Sequence, residues 1–248
     1  MSAVSRKQRE FQAREELIVD HAQDLLLAKG YLGLNLDELA EKIEYSKGTI
    51  YLHFDSKEDL LLGVVNRMSE VRSRLFRHAA RYPGRSREKC CAIGVADLIL
   101  NARQPHAFQM MQLVSTDSVW EKTSQIRQER LRKTGMQIFD AALGVAQEAV
   151  LAGDLAETGI TPQEVVLGLF TMSKGAMLVQ STEEFVHPTI AGTVLRSLQM
   201  NRHRFLDGAG WKPLYKDFDY EALEKRLHGE YFAVPRSEEH TSELQSRQ

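Results

Sequence analysis

Residues 35–54, NLDELAEKIEYSKGTIYLHF, hold two short helical patterns that lie only a few residues apart, and they constrain the fold more than any other stretch. In the first pattern, apolar residues recur at i, i+3, i+4 and i+7, which predicts a single apolar stripe on a helix of about two turns. Asn35 stands just before this helix as a candidate N-cap. The stripe consists of Leu36, Leu39, Ala40 and Ile43.

The second pattern begins after Ser46, a second N-cap candidate, and turns Ile50 and Phe54 toward the same side. Glu44 and Tyr45 are left to form the turn between the two helices. A short helix, a tight turn and another short helix that begins with small or polar residues are typical of a helix-turn-helix. The stretch therefore predicts a reader of the DNA major groove.

The outward face of the second helix favours DNA over simple packing. Gly48 costs about 1 kcal/mol relative to alanine inside a helix, so its presence indicates that a partner approaches the backbone closely. The N-terminus of a helix also suits phosphate. A pair of surface helices with solvated polar faces is the alternative that spacing alone leaves open. The side chains expected to point outward are Lys47, Thr49, Tyr51 and His53, and Lys57 follows at the start of the next helix.

Four runs of residues, in order, resemble the TetR family of transcriptional regulators over about residues 14–62: AKGY at 28–31, LDELA at 36–40, SKGTIYLHF at 46–54 and SKEDL at 56–60. The resemblance implies that Lys47 and Gly48 approach base edges. It further implies phosphate contacts for Thr49, Tyr51, His53 and Lys57, and the cap residues Asn35 and Ser46 complete the predicted DNA-binding set.

The turn departs from the family pattern at one position. The family usually has glycine where this chain has Glu44. If the backbone there requires a positive φ, a non-glycine residue adds strain. A carboxylate near phosphates is also repulsive, so we expect Glu44 to point away from DNA.

The net charge of the chain does not create the strongly positive surface potential that is typical of many DNA-binding proteins. The whole chain carries a formal net charge of −2. Residues 1–62 contain eight Lys/Arg and twelve Asp/Glu, a balance of −4 that is poor for a DNA-binding module. We expect many of these acids to lie on helix faces that point away from the contact surface.

Cysteines and motifs predict neither a metal site nor catalysis. Cys90 and Cys91 are adjacent, a spacing that disfavours a disulfide, and no second cysteine pair suggests zinc. Two free thiols fit a reducing cytoplasm. The chain shows no H-E-x-x-H, no G-x-S-x-G and no phosphate-cradling glycine loop. We therefore expect no enzyme, no cofactor and, with only short apolar runs, no membrane segment.

Helical periodicity continues to the end of the chain and predicts an all-α protein. An N-terminal three-helix DNA-binding domain is followed by a larger helical domain that the resemblance assigns to effector binding and dimerisation. The predicted segments are a flexible arm at 1–13, the DNA-binding domain at 14–80 and the second domain at 81–235. Within the second domain, helices are expected at 86–102, 105–114, 118–152, 162–182 and 188–207, with a short one at 219–229.

The last two long helices are expected, by analogy with the family, to pair with those of a second copy as a four-helix bundle. Small residues that permit close helix approach are Gly168, Ser173, Gly175, Ala176, Ala191 and Gly192, although packing within one chain explains them nearly as well. A dimer also follows from the DNA hypothesis, because two recognition helices must meet successive major grooves about 34 Å apart.

An effector pocket is expected among the helices of the second domain. Its candidate lining is rich in aromatic and methionine side chains, which suits an apolar or flat small molecule, although each is also an ordinary core residue. The candidates are His106, Phe108, Met110, Met111, Trp120, Phe139, Met172 and Met177.

The C-terminal tail differs in character from the rest of the chain. Residues 236–246, RSEEHTSELQS, look like the translation of a sequencing-adapter oligonucleotide. We expect residues 236–248 to be a non-native addition outside the fold.

Together these features predict a cytoplasmic, homodimeric transcriptional regulator that binds a palindromic DNA operator. The main hypothesis is a repressor released by a small-molecule effector. The alternative is a DNA-binding factor without such a ligand, acting through a protein partner or as an activator.

Overall fold

The computed structural model describes residues 5–104, 106–156, 159–182, 187–190 and 192–233. Within these ranges the chain is helical with no residue in a strand, which confirms the all-α prediction. The adapter-like segment 236–248 lies outside the described residues. No helix in the described ranges combines the length and apolar character needed to cross a bilayer.

The described ranges contain eleven α-helices, which we number in chain order. A 3₁₀ turn at Tyr215–Asp217 and a π-helical turn at Leu227–Tyr231 flank the last of them. In chain order they are α1 (Arg6–Gly33), α2 (Leu36–Lys42), α3 (Lys47–Tyr51), α4 (Lys57–Ala79), α5 (Ser86–Arg103), α6 (Ala107–Val114), α7 (Asp117–Trp120), α8 (Gln125–Leu151), α9 (Pro162–Ser181), α10 (Val194–Gly208) and α11 (Tyr220–Arg226).

The helices group into two compact units, Met1–Arg74 with Leu100–Ile138, and Leu75–Ile99 with Phe139–Gln248. The first boundary lies within α4, close to the expected transition near residue 80. The first unit also includes residues 100–138, however, which the sequence placed in the second domain. The reason is apolar packing, since Val114 and Val119 are buried in the same cluster as Leu61.

The N-terminal arm is the first correction to the sequence prediction. Residues 6–13 form the opening turns of α1 rather than a loose arm. Ser5 and Gln8 make a capping box, in which each side chain binds the backbone N–H of the other residue. Gly30, with a φ of 67°, kinks the helix near its end, where the sequence predicted its termination.

The long helix expected at 118–152 is interrupted at residues 121–124. The backbone N–H and the hydroxyl of Ser124 both donate to Asp59 Oδ1, at 2.8 and 2.9 Å. These bonds satisfy a buried carboxylate at the point where α8 begins. The helix expected from residue 188 begins later, at Val194.

In the second unit, α9 starts as predicted, with the Thr161–Glu164 capping box and Pro162 in the first turn. Two of the small residues expected at a dimer seam instead serve packing within the chain. A Cβ at Gly168 would lie 2.5 Å from the Phe205 ring, so this glycine lets α10 approach α9. Ser173 donates to Asp97 Oδ2.

Candidate nucleic-acid interface

Two side-chain caps set the helix-turn-helix, both at the predicted residues. Asn35 Oδ1 accepts a hydrogen bond from the Asp37 backbone N–H at 2.8 Å, at the start of α2. Ser46 Oγ accepts one from the Thr49 N–H at 3.1 Å, at the start of α3. This cap satisfies one of the backbone donors at the N-terminus of α3 that have no partner within the helix. The caps fix where the reading helix begins.

The turn between the two helices has the backbone strain that its sequence implies. Glu44 has a φ of 57°, in the left-handed region that favours glycine. Its side chain is exposed, and the Tyr45 N–H that follows donates to Ala40 O at 3.0 Å. The turn geometry of the helix-turn-helix is therefore kept in spite of the non-glycine residue.

Replacing Glu44 by glycine is expected to raise the free energy of unfolding by about 1 kcal/mol, because the left-handed conformation penalises side chains with a Cβ. Urea denaturation measures the change. Glu41→Gly is the matched control, since it removes the same charge from a helical position of α2 and should lose about 1 kcal/mol. Equal destabilisation by both substitutions would contradict the strain argument.

The inner face of α3 anchors it to the core of the first unit. Ile50 and Phe54 are almost fully buried, as their spacing predicted. The Arg127 guanidinium lies 4.3 Å from the centroid of the Phe54 ring, so a cation–π contact covers this anchor. The reading helix is thus held from beneath by both apolar and charged contacts.

The outer face of α3 exposes most of the residues predicted to meet DNA. Lys47 and Gly48 are exposed, Tyr51 is 48% exposed and Thr49 is half-buried. A Cβ built on Gly48 would meet only Ser46 Oγ within the described part of the chain, at 3.6 Å, which is an ordinary contact. Nothing in the described residues therefore requires glycine at position 48. This fits the expectation that a partner approaches the backbone there.

Lys47 has a partner inside the protein. Its Nζ donates to Asp37 Oδ2 at 2.9 Å, and this hydrogen bond raises the pKa of the ammonium. The bond orients the lysine along the outer face of the two helices. To bind DNA, Lys47 would have to exchange the Asp37 carboxylate for a phosphate or a base edge. The strength of the Lys47–Asp37 bond therefore affects how easily Lys47 can contact DNA.

His53 is the clearest correction among the predicted site residues. Its side chain is 1% exposed and does not point outward. The ring stacks on Phe11 with centroids 4.0 Å apart, and Nδ1 lies 3.7 Å from Glu15 Oε2. Helix α1 extends further toward the N-terminus than predicted, and its Phe11 provides the surface that covers the imidazole. Burial lowers the pKa of His53.

This lowered pKa predicts a pH dependence of stability. The unfolded histidine binds a proton more readily than the folded one, so the free energy of unfolding decreases as the pH is lowered through 6.5. Well above that value the group makes no pH-dependent contribution. His53→Phe keeps a ring against Phe11 and removes the titration. The stability difference between wild type and variant, measured by urea denaturation at about pH 7.5 and about pH 5.5, should move against the wild type at the lower pH. A difference independent of pH would contradict the assignment.

Lys57 lies at the start of α4, as predicted, with its Nζ 4.6 Å from the centroid of the Tyr31 ring. Burial, together with Glu58, raises the pKa of Tyr31 to about 12, so the ring stays neutral under Lys57. The lysine is half-buried and pre-oriented rather than freely mobile.

Arg127, near the start of α8, is a central residue that the sequence did not indicate. Its Nη1 donates to Asp59 Oδ2 at 2.7 Å, and its Nη2 donates to Glu15 Oε1 and to the His53 carbonyl oxygen, both at 2.9 Å. The guanidinium therefore links α1, the end of the reading helix, α4 and α8. Its partners lie 68 to 112 residues away along the chain, and no local pattern marks such a contact.

Many of the acidic side chains in residues 1–62 form ion pairs with Lys or Arg, which offsets part of the negative charge of this segment. Three of the basic partners lie beyond residue 62, so a count over that segment leaves out their charge. The pairs include Asp20 with Arg67, Asp37 with Lys47, Glu38 with Lys29, Glu58 with Lys122, and Asp59 and Glu15 with Arg127.

Leu52, at the end of the helix-turn-helix, is 75% exposed. It is not among the residues that the sequence predicted to contact DNA. It follows Tyr51 at the end of α3, where an apolar side chain has no burial to explain it. The T-methyl groups of the major groove are one surface that such a side chain matches.

The predicted effector residues are divided between the two units. His106, Phe108, Met111 and Trp120 belong to the first unit, and Phe139, Met172 and Met177 to the second. Met111 and Trp120 pack against the buried cluster of the first unit, and Met177 is buried within the second. A groove of about 510 Å³ in the second unit is lined by other residues, among them Gln199 and Glu224.

Comparison with known families places the helix-turn-helix in a defined group. Residues 18–64 match the model of a family described as bacterial regulatory proteins, tetR family. The matched range begins within α1, contains α2 and α3, and ends in α4. It therefore covers the elements that build the candidate interface.

Two curated relatives match short stretches of the chain. The uncharacterized HTH-type transcriptional regulator YuxN of Bacillus subtilis is 42% identical over 53 residues, 21% of this chain and 18% of that protein. IcaR of Staphylococcus aureus, the negative transcriptional regulator of the biofilm operon icaADBC, is 39% identical over 46 residues, 18% of this chain and 25% of its own length. The chain thus matches only about a fifth to a quarter of these relatives.

Among solved structures, the fold is similar to the transcriptional regulator FadR from Bacillus subtilis, determined in complex with stearoyl-CoA. The TM-score is 0.56 at 17% sequence identity, covering 74% of this chain and 96% of that one. At this identity the likeness concerns the fold, which extends well beyond the helix-turn-helix.

Proposed function

We propose that this chain is a member of the tetR family of bacterial regulatory proteins and a cytoplasmic DNA-binding repressor that leaves its operator when a small molecule binds. The observation that carries the proposal is the outer face of α3, where Lys47 and Gly48 are exposed at the capped N-terminus of the helix and Tyr51 is exposed at its last turn. Free backbone donors and a partial positive charge suit phosphate there. Repression is proposed by analogy with IcaR, which is a negative transcriptional regulator.

A homodimer is part of the proposal. Two α3 helices must be held about one turn of DNA apart to read a palindromic operator. Helix α9 offers a surface for self-association, because Leu167, Thr171, Gly175 and Leu178 are exposed at helical spacing. A Cβ added at Gly175 would meet no heavy atom of the described residues within 4 Å, in contrast to one at Gly168, so Gly175 leaves room for a second helix.

The proposal also includes release of the operator when a small-molecule effector binds. FadR was solved with stearoyl-CoA, and its fold is similar to that of this chain. An apolar or flat small molecule fits the methionine and aromatic candidates that lie in the second unit, Phe139, Met172 and Met177. By linkage, such a molecule must bind the DNA-free form more tightly than the DNA-bound form in order to release the operator.

The first experiment is a binding titration of the full chain with fragments from upstream of its own gene, at two salt concentrations. Saturable binding at two protomers per palindromic site, weaker at the higher salt, is the expected result. An absence of binding at low salt, with or without candidate effectors, would overturn the repressor proposal.

Tyr51→Ala is expected to weaken binding to operator and to random DNA alike, because a phosphate contact carries no sequence information. Leu32→Ala is the control, since Leu32 is 94% exposed at the end of α1 and outside the proposed interface. A loss confined to the operator would instead assign Tyr51 to base recognition. Unchanged binding to both would remove Tyr51 from the interface.

A further inference from the structure

Three metal-ligating side chains meet in the second unit, each from a different helix. Cys91 lies on α5, His203 on α10 and Glu224 on α11, and their donor atoms lie within 4.8 Å of one another. His203 Nε2 is 3.3 Å from Glu224 Oε1, and Cys91 Sγ is 3.9 Å from the same oxygen. Separations of 133 and 21 residues along the chain make this cluster invisible to sequence spacing.

These distances are close to those of a tetrahedral zinc site. With usual bond lengths to zinc, an imidazole nitrogen and a carboxylate oxygen lie about 3.3 Å apart, and a thiolate sulfur and an oxygen about 3.6 Å. The observed 3.3 and 3.9 Å are close to these values, and the remaining separation, between Cys91 and His203, is at most 4.8 Å, so an inward movement of the thiol would complete the site. Two of the three donor–donor distances therefore already approximate those of one face of a coordination tetrahedron.

The surroundings orient the ligands. Gln199 Nε2 donates to Glu224 Oε2 at 3.2 Å, which holds one carboxylate oxygen and leaves Oε1 directed at His203 and Cys91. The imidazole packs against both Tyr215 and Tyr220, with ring centroids at 4.7 and 4.8 Å. Such outer contacts fix ligand orientation in metal sites. His203 Nδ1, buried and without a hydrogen-bond partner in the described part of the chain, is free to carry the ring proton when Nε2 binds a cation.

The local charge permits a divalent cation. A thiolate and a carboxylate together neutralise two positive charges. The nearby guanidiniums are already paired, Arg202 with Asp97 at 3.2 Å and Arg87 with Asp207 at 2.6 Å. The fourth position has a route to solvent, because Glu224 and Gln199 also line the groove of about 510 Å³ in this unit.

We propose that Cys91 Sγ, His203 Nε2 and Glu224 Oε1 bind one zinc ion, with the fourth coordination position open to the adjacent groove. Sulfur, nitrogen and oxygen donors in this combination suit zinc among the common divalent ions. Binding releases the thiol proton to solvent and joins α5, α10 and α11 through one ion. The inference does not depend on the DNA-binding proposal.

Cobalt substitution tests the site directly. The full chain, stripped with a chelator and reduced, is titrated with Co²⁺ and then with Zn²⁺. One equivalent of Co²⁺ per protomer should produce a thiolate-to-cobalt charge-transfer band and tetrahedral visible bands, and Zn²⁺ should abolish both. Failure to develop the charge-transfer band would overturn the proposal.

The neighbouring cysteine supplies a matched control. Cys91→Ser should eliminate the charge-transfer band, whereas Cys90→Ser should retain it at wild-type intensity. Glu224→Gln, which preserves the shape of the side chain, should weaken Co²⁺ binding at least about tenfold while the circular dichroism spectrum stays unchanged. A band that survives in Cys91→Ser, or an unchanged affinity in Glu224→Gln, would place the metal elsewhere and refute this assignment.

Discussion

Replacing Arg127 by alanine should lower the free energy of unfolding by about 3 to 5 kcal/mol, because it leaves a buried carboxylate without its counter-charge. Asp59 is 0% exposed, and the Arg127 side chain is only 12% exposed. After the substitution, Asp59 keeps neutral donors from Ser124 and from the Asp55 backbone N–H, at 2.8 to 3.2 Å. Neutral donors do not replace a charge at this depth, so the loss far exceeds that of a surface pair.

Arg130 is the matched control for this measurement. It lies one turn further along α8 and pairs with Glu70, but its side chain is 55% exposed. Arg130→Ala should cost no more than about 1 kcal/mol, as exposed ion pairs generally do. Urea denaturation followed by circular dichroism compares the two variants. Similar losses would show that burial of Asp59 does not set the energy of the Arg127 contact.

The same substitution is expected to affect DNA binding. Arg127 holds the carbonyl of His53, directly after the reading helix, and covers the ring of Phe54. Without these contacts the end of α3 loses its fixed position relative to α4. Folded Arg127→Ala, assayed well below its unfolding temperature, should bind operator more weakly than Arg130→Ala. Equal operator affinities of the two variants would show that Arg127 contributes to the stability of the fold and not to DNA binding.

The sequence predicts best where the determinants are local. Asn35, Ser46 and Thr161 are identifiable as N-caps because the cap and the first helical turn are adjacent in sequence. Strain at Glu44 is predictable because turn geometry depends on the φ of a single residue. Burial of Ile50 and Phe54 is predictable because helical periodicity places them on one face.

Tertiary packing decides the rest. The spacing of His53 puts it beside the outer face and predicts exposure, but Phe11 of α1 covers it. The break before α8 depends on a hydrogen bond to Asp59, 65 residues earlier. Cys91, which its adjacency to Cys90 marks only as a free thiol, meets His203 and Glu224 once three helices have packed. Periodicity and spacing contain no information about such contacts.

Gly48→Ala should separate stability from DNA binding more sharply than any other substitution at the interface. Alanine is favoured over glycine in a helix by about 0.5 to 1 kcal/mol, and among the described residues the new Cβ meets only Ser46 Oγ at 3.6 Å, so the folded protein should become slightly more stable. If DNA approaches the backbone of α3 at this point, the same methyl group occupies space that the complex needs. We expect operator affinity to fall at least about tenfold, a loss of about 1.4 kcal/mol or more.

Gly135→Ala on α8 is the control for this experiment. It also places a methyl group on a helical glycine, one with no heavy atom of the described residues within 4 Å, so it should stabilise the protein without changing DNA affinity. The opposite signs expected at Gly48, higher stability with weaker binding, cannot arise from misfolding, since a misfolded protein would lose both. A Gly48→Ala variant that is more stable and binds the operator as tightly as wild type would show that DNA does not approach α3 at this glycine. Recognition would then depend on longer side chains such as Lys47 and Tyr51, which reach DNA from a greater distance.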